Sequence, residues 1–197
     1  MSRFARQENP PRFDDYKKYL PFLRRDFRYR CAYCERTEAV LGGEGSFEID
    51  QFRPVSKFRD LFAHYPNLYY SCTKCNRHKG TAWPSDVLIA MGLRFADPCQ
   101  EDLYAGHLRE MPDGMLQPLT ACGRYTRDHI RLERRDLLSW RRLRRQMGQD
   151  LLTFARAASR LEALLAAEPD LVVRGQIREE LDTLNARISR DRQWFSL

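Results

Sequence analysis

Two cysteine pairs are the residues of this chain whose spacing points most directly to chemistry. Cys31-Ala-Tyr-Cys34 and Cys72-Thr-Lys-Cys75 are both C-x-x-C motifs, and each motif can place two thiolates on one metal ion. A thioredoxin-like motif would explain one pair but not two, and chance pairing in a reduced protein is the other explanation. Together the pairs predict a tetrahedral Zn2+ site whose four positions are all filled by protein, so the ion would be structural.

The segment between the pairs is longer than a simple zinc ribbon requires. Residues 35–71, which number 37, separate Cys34 from Cys72, compared with about 15–20 residues in a common zinc ribbon. This insert contains the sequence FEIDQFRP and must therefore hold structure of its own. Cys99 and Cys122 stand apart from the pairs, and we expect them to be buried small apolar residues rather than ligands.

The chain is basic, with a formal net charge of +7 and a pI of about 9.3. This excess suits a polyanionic partner such as nucleic acid, although a solvated, arginine-rich helical surface would explain it equally well. The sequence has no apolar run near the roughly 18 residues that a membrane span needs, and it begins without a hydrophobic signal core. We therefore expect a cytoplasmic protein with no membrane partner and with cysteines that are reduced or bound to metal.

Periodicity and turn residues predict a small α+β core followed by a C-terminal helical hairpin. A polar, extended arm precedes an amphipathic segment at 15–30 that favours a helix. The glycines of 41–46 indicate a turn between two short strands, and the sequences FEIDQF and NLYYSC both look extended. The second cysteine pair then opens a short helix that Gly80 closes.

The second half of the chain is predicted to form a hairpin and then helices. Asp113-Gly114 separates two strand-like runs. From about Thr126 the pattern is helical, and Pro169 divides the helical region in two. The predicted divisions are an N-terminal arm and helix at 1–27, a domain with the zinc knuckles at 28–125 and a C-terminal helical region at 126–197.

These motifs resemble the HNH (ββα-metal) endonuclease family. That family's pattern runs from a C-x-x-C pair through a strand with Asp-His and a following Pro to an Asn, and then to C-x-x-C-N near Lys-Gly. The matching positions are Cys31, Cys34, Asp50, Pro54, Asn67, Cys72, Cys75, Asn76, Lys79 and Gly80. The resemblance covers about 28–84 and implies a zinc-stabilised ββα-metal core. A weaker likeness further along the chain is to HNH proteins of the Septu PtuB and retron-associated type, which accompany an ATPase in phage defence.

The resemblance implies roles for four residues. Asp50 and Asn76 would ligate one catalytic Mg2+ or Mn2+ ion, for which oxygen ligands are suitable, and this ion would stabilise the phosphate under attack. Asn67 would hold the loop and orient the residue at position 51, where the family has a His that takes a proton from the attacking water.

Gln51 occupies that position here. Its amide can hold a water by hydrogen bonding but has no useful proton affinity near neutral pH, and loss of a general base typically costs about 10²–10⁴ in rate. Three explanations stay open. Gln51 is an engineered replacement in a nuclease, or a natural loss that leaves a DNA-binding module, or the base is another residue such as His64 or His78.

Basic residues flank the implied metal site. If the short helix lies against nucleic acid, as the resemblance implies, side chains around it would contact phosphates. These candidates are Arg53, Lys57, Lys74, Arg77 and Lys79. A second basic cluster, RRLRR at 141–145, could extend the DNA track or bind an acidic partner surface. The Leu- and Ala-rich C-terminal helices could pack on their own domain or form a seam with a partner or a second copy.

The sequence and the resemblance together favour a divalent-metal-dependent DNA endonuclease of the HNH type, intact or inactivated at Gln51. Its expected setting is antiviral defence with an ATPase subunit. One rival function is a non-catalytic, zinc-stabilised DNA-binding module. The other is a structural adaptor whose helices dock the partner while the zinc site only holds the fold.

Overall fold

The structure is a computed structural model that describes residues 4–195 of the chain. These residues belong to two units, which divide between Ser139 and Trp140. The boundary predicted at 125/126 falls inside a helix of the first unit, Ala121–His129, and the N-terminal arm belongs to that unit as well. The predicted α+β class is confirmed, because the described residues combine helices with two small antiparallel sheets.

The N-terminal helix is shorter than the predicted 15–30. A 3-10 helix at Tyr16–Tyr19 leads into α1, Leu20–Asp26. Pro21 lies in the first turn of α1, where its missing N–H costs no intrahelical hydrogen bond. Arg28 and Tyr29 then adopt φ values of 52° and 58°, which take the chain out of helical geometry before the first cysteine pair.

A helix, rather than a strand, precedes the glycine-rich turn. Helix α2, Glu38–Leu41, is capped at its N-terminus by Thr37, whose hydroxyl accepts a hydrogen bond from the Val40 N–H. Its C-cap is Gly42, which takes a left-handed φ of 86°. The turn predicted at 41–46 therefore joins a helix to a strand, and the expectation of two flanking strands is wrong.

A strand pair and a short helix carry the candidate site. Strand β1, Phe47–Gln51, pairs antiparallel with β2, Leu68–Cys72, in a register that sets Asp50 opposite Tyr69. Helix α3, Thr73–Lys79, follows β2 directly. Every residue of β2 is buried, so this strand anchors β1 on one side and α3 at its end.

The remaining elements of the first unit are short. They are α4 at Asp86–Ala90, a π-helical segment at Leu103–His107, β3 at Leu108–Glu110, β4 at Leu116–Pro118 and α5 at Ala121–His129. Strands β3 and β4 form the hairpin predicted at Asp113-Gly114, where Gly114 supplies a φ of 83°. Helix α4 is an element that the sequence pattern did not predict.

The core of the first unit is rich in aromatic side chains. Tyr69 and Tyr70 of β2 are among its largest fully buried residues. Arg6 donates hydrogen bonds to the carbonyls of Tyr65 and Leu68, at 3.0 and 2.7 Å, and its guanidinium lies over the Tyr69 ring. The polar N-terminal arm is therefore fastened to the strand that carries the second cysteine pair.

The second unit is helical. Helix α6, Arg135–Ala167, extends into it, and α7, Leu171–Phe195, follows the break predicted at Pro169. Its apolar core is formed by Leu151, Ala158, Leu181 and Ile188. The helical region predicted from about Thr126 is interrupted between α5 and α6, where Arg131 adopts a φ of 52°. Within residues 4–195, no helix has both the length and the apolar character needed to cross a membrane.

Candidate metal centre and groove

The four cysteines of the C-x-x-C motifs lie together in the interior of the first unit. Their sulfur atoms are all within 4.8 Å of one another, and the Sγ atoms of Cys34 and Cys72 are 3.8 Å apart. Four sulfurs at the usual Zn–S distance of about 2.3 Å are about 3.8 Å from one another in a tetrahedron. Donor type, burial and spacing therefore fit a structural Zn2+ ion.

The local fold explains why the sulfurs converge. A bridge pairs Arg30 with Thr37 and closes a tight loop around the first cysteine pair, and Glu35 completes this loop with a φ of 57°. The second pair begins where β2 passes into α3, so Cys72 and Cys75 are about one helical turn apart.

Hydrogen-bond donors surround the sulfurs. The Tyr33 N–H donates to Cys31 Sγ over 3.4 Å, and Arg134 Nη2 donates to Cys75 Sγ over 3.2 Å. Burial alone would lower the pKa of Arg134, but the neighbouring Cys75 and Cys34 raise it above its ordinary value. A Zn2+ ion with four thiolates is a net anion, so a guanidinium at this position stabilises the loaded site.

The four thiols differ in their proton affinity. Burial raises the pKa of Cys31 and of Cys75 well above the ordinary value. Hydrogen bonds from the neighbouring thiols lower the pKa of Cys34 and of Cys72. The thiols of the cluster therefore influence one another's protonation, and a Zn2+ ion would displace their protons on binding.

A second group of metal-ligating side chains is explained by an ion-pair network. The ligand atoms of Glu101, His107 and Cys122 lie within 4.8 Å of one another. The Glu101 carboxylate forms a bidentate ion pair with Arg94, at 2.5 and 2.9 Å, and its Oε2 lies 2.9 Å from His107 Nε2. Because Arg94 already neutralises this carboxylate, the group does not fit a metal ion.

A groove with a volume of about 430 Å3 opens along β1, the loop that follows it, and α3. Its lining includes Asp50 and Gln51 from the strand and Asn76 and Arg77 from the helix. The fold thus brings the two metal ligands implied by the resemblance and the residue at position 51 to one place.

Asp50 is buried, and both of its carboxylate oxygens are engaged. Lys79 Nζ donates to Oδ1 at 2.8 Å, and the Tyr33 hydroxyl donates to Oδ2. Lys79 also donates to the Gln51 carbonyl at 2.9 Å. Carboxylate and amide oxygens suit Mg2+ or Mn2+, but Lys79 already balances the charge of Asp50. The arrangement as folded therefore does not fit a divalent ion at Asp50.

Asn67 ties together the loop that follows β1. Its Oδ1 accepts from the Arg53 N–H at 2.8 Å, and its Nδ2 donates to the carbonyls of Arg53 and Leu61 at 3.0 and 3.3 Å. Gln51 Nε2 donates to the Phe62 carbonyl at 3.0 Å. The Gln51 side chain is therefore held by the backbone of the loop that Asn67 ties.

The basic residues expected to contact nucleic acid have different surroundings. The exposed members are Arg53, Lys57, Lys74 and Arg77. Lys74 forms an ion pair with Asp136 at 3.3 Å. Lys79 is only 1% exposed and is bonded to Asp50. The expectation that Lys79 contacts a phosphate is therefore wrong for the folded chain.

The alternative bases lie outside the groove lining. His64 borders a different cavity, of about 620 Å3, together with Phe13 and other residues of the N-terminal arm. Burial and the nearby Arg134 and Arg131 lower the pKa of His78. The groove lining comes from the neighbours of His78, Asn76 and Arg77, and not from His78 itself.

Two residues that hydrogen-bond to groove-lining side chains were missed in the sequence. Glu48 accepts a hydrogen bond from Asn76 Nδ2 at 2.8 Å. The alternation of strand side chains could have revealed it, because Glu48 and Asp50 are two positions apart and share a face. Tyr33 lies between the first two cysteines, and only tertiary packing brings its hydroxyl to Asp50.

Comparisons of the chain with protein-family models, curated proteins and solved structures found no match. The site is therefore interpreted from its own geometry.

Proposed function

We propose that this chain is a zinc-stabilised DNA endonuclease of the HNH (ββα-metal) type. The observation that carries the proposal is the groove in which Asp50, Gln51 and Asn76 of a strand–strand–helix unit meet. The cysteine cluster supports it, because it fixes the junction of β2 and α3 from which Asn76 extends. The exposed Arg77 in the same lining supplies positive charge for a phosphate.

The groove residues would share the work of binding and hydrolysis. Asn67 keeps the loop closed beside the groove, and Arg77 would hold a phosphate of the backbone. A Mg2+ or Mn2+ ion would supply the positive charge that stabilises phosphodiester hydrolysis. Asp50 as folded is bonded to Lys79 and Tyr33 and does not hold that ion.

Gln51 sets the expected rate. Its amide can hold a water but cannot take the proton of that water. We therefore expect the chain to cleave DNA slowly or not at all, and we expect Gln51→His to raise the rate about 10²–10⁴-fold, the usual contribution of a positioned base.

The assay for this expectation is nicking of a supercoiled plasmid with Mg2+ or Mn2+, in the wild-type chain and in Gln51→His. Gln51→Asn is the matched control, because it changes the side chain without adding a base. Cleavage by the His variant should disappear when Asp50→Asn is added. A His variant that stays inert with either ion, while its zinc content and DNA affinity are normal, would overturn the endonuclease proposal.

DNA binding is tested separately by titrating a labelled duplex at several salt concentrations. Each lost phosphate contact should flatten the plot of log K against log salt by about 0.9. Arg77→Gln should do so, whereas Arg178→Gln in the second unit, which is also exposed, should not. Equal slopes for the two variants would show that Arg77 contacts no phosphate.

A non-catalytic, zinc-stabilised DNA-binding module is the second candidate function. The specific observations in its favour are the neutralised Asp50 and the presence of Gln51. It predicts normal, salt-dependent DNA binding with no cleavage in Gln51→His.

The resemblance and the leucine-rich helices lead to three further proposals. These are an ATPase partner in antiviral defence, self-association, and an adaptor role of the helices. Pull-down from the native host would test them.

A further inference from the structure

Lys79 lies where the Asp50 carboxylate needs a positive charge. It is the last residue of α3, its side chain is 0% exposed, and its Nζ is 2.8 Å from Asp50 Oδ1 and 2.9 Å from the Gln51 carbonyl oxygen. A buried ammonium group is tolerated only when it is paired and hydrogen-bonded. The Lys79 ammonium group is therefore held in place by its hydrogen bonds to Asp50 and to the Gln51 carbonyl.

The other Asp50 oxygen is satisfied without adding charge. The Tyr33 hydroxyl donates a hydrogen bond to Oδ2, and a hydroxyl donor brings no charge of its own. Asp50, Lys79 and Tyr33 together carry one negative and one positive charge, so the cluster is balanced as folded.

A divalent ion at Asp50 would share this carboxylate with a second cation. Like charges at such short range repel strongly where water is excluded. We propose that the Lys79 ammonium is the resident counter-cation of Asp50 and competes with divalent ions for its carboxylate. The inference rests on the proposed function only for the choice of ion, and its test uses metal binding and stability rather than cleavage.

The decisive variant is Lys79→Met, which removes the charge but keeps a long apolar side chain. It leaves Asp50 buried and unpaired, which destabilises a protein strongly. We expect a lower melting temperature than the wild type in buffer without divalent ions. Added Mn2+ should restore much of the loss, because an ion that binds the folded state stabilises it. The wild-type melting temperature should not respond to Mn2+.

Direct binding is measured by the loss of the electron paramagnetic resonance signal of free Mn2+. The repulsion between close charges exceeds the free energy of a tenfold change in affinity. We therefore expect Lys79→Met to bind Mn2+ at least about tenfold more tightly than the wild type. Zinc content is checked by elemental analysis in every sample, so that Mn2+ at the cysteine cluster is not counted.

Three controls isolate the pair. Lys79→Arg keeps the charge and should behave as the wild type does toward Mn2+. Lys74→Met makes the same charge change at an exposed position of α3 and should gain no affinity. The double variant Asp50→Asn/Lys79→Met has no unpaired charge, so it should fold without Mn2+ and bind none at this site.

The outcomes separate this inference from the proposed function. If the wild type and Lys79→Met bind Mn2+ equally well, Lys79 is no competitor and the inference is wrong. If Lys79→Met folds only with Mn2+ while the double variant folds without it, the inference is supported. Failure of Mn2+ to rescue Lys79→Met, with the double variant folded, overturns it. Asp50-dependent Mn2+ binding without DNA cleavage in any variant would leave the inference standing and remove the endonuclease proposal.

Discussion

Cys75 is buried at the start of α3 and accepts a hydrogen bond from Arg134. A thiol must lose its proton to ligate a metal, and a guanidinium beside the sulfur stabilises the thiolate that results. Arg134 also forms an ion pair with Asp136, between Nε and Oδ1 at 3.1 Å, so its charge has a carboxylate partner with or without a metal. The guanidinium is therefore compatible with the zinc assignment, which rests on the type, burial and spacing of the four sulfurs.

Replacement of one ligand should remove the metal and much of the stability. We expect Cys72→Ser to lose its Zn2+ and to melt at a lower temperature, because the free energy of metal binding is part of the free energy of folding. Cys99→Ser, outside the cluster, is the matched control and should retain one Zn2+ per chain. Elemental analysis and thermal melting measure both effects, and a zinc-free wild type would refute the assignment.

Functional residues were easiest to predict from the sequence where they form a motif of residues close together in the chain. The C-x-x-C spacing is local, so the cysteine cluster was predictable. The partner of Asp50 was not, since Lys79 and Asp50 are separated by 29 positions and meet only after α3 folds onto β1. A lysine beside a glycine on a short helix is usually exposed, and its burial is a property of the packed unit.

At the scale of elements, close packing fixes where α5 lies. A Cβ added to Gly123 of α5 would lie 2.1 Å from the His107 carbonyl oxygen, so a side chain there is excluded by backbone. Gly148 of α6 is also helical, but a Cβ added there meets no atom within 4 Å. The same substitution should therefore have opposite effects in the two helices.

We expect Gly123→Ala to destabilise the protein by about 1–3 kcal/mol, because overpacking forces the backbone to shift. Gly148→Ala should be neutral or stabilise it by up to about 1 kcal/mol, since alanine is the better helix former. Chemical denaturation followed by far-UV circular dichroism measures both. Equal effects would mean that the contact between α5 and His107 does not exist in solution.

An ion pair between Arg94 and Glu101 stabilises the segment that precedes β3. Hydrogen bonds from Arg94, and further contacts with the Asp97 N–H and His107, lower the pKa of Glu101 from 4.5 to about 2. A carboxylate with a lowered pKa stabilises the folded state above its unfolded pKa. This stabilisation is lost as the pH falls from about 4.5 toward 2.

We therefore expect Glu101→Gln to flatten the fall in stability between pH 4.5 and pH 2. The pair is partly exposed, so the difference at neutral pH should be about 1 kcal/mol or less. Glu162→Gln, on the surface of α6, is the control and should leave the fall in stability at acid pH unchanged. If stability falls with pH in the same way in both variants and in the wild type, Glu101 is not the group that titrates.

Element type was more predictable than element boundary. The hairpin at Asp113-Gly114 and the break at Pro169 follow from residues with fixed backbone preferences. The ends of α1 and α5 do not follow from such residues, because Arg28 and Arg131, just beyond them, take positive φ values without being glycine. Such conformations are imposed by tertiary contacts and leave no pattern in the sequence.

For the whole molecule, the two units differ in how much apolar surface they bury. The core of the first unit includes many fully buried aromatic side chains around β2, and a candidate zinc site adds to it. The core of the second unit consists of Leu151, Ala158, Leu181 and Ile188, while Leu152 and Leu164 of α6 are 62% and 57% exposed. Most helical stability in proteins comes from the packing of an apolar face, so the second unit should open more easily.

Hydrogen exchange measured by mass spectrometry tests this difference. We expect peptides from α7 and from the second half of α6 to exchange faster than peptides from β2, because local opening costs less where fewer apolar side chains are buried. Loading the protein with Zn2+ should slow exchange in β2 and α3 and leave α7 unchanged. A partner that docks on the exposed leucines, as an adaptor role or self-association requires, should slow exchange in α6 and α7 when it is added. Uniform protection throughout the isolated chain would contradict the expectation, and would mean that the helices of the second unit gain stability from contacts beyond the four residues of their core.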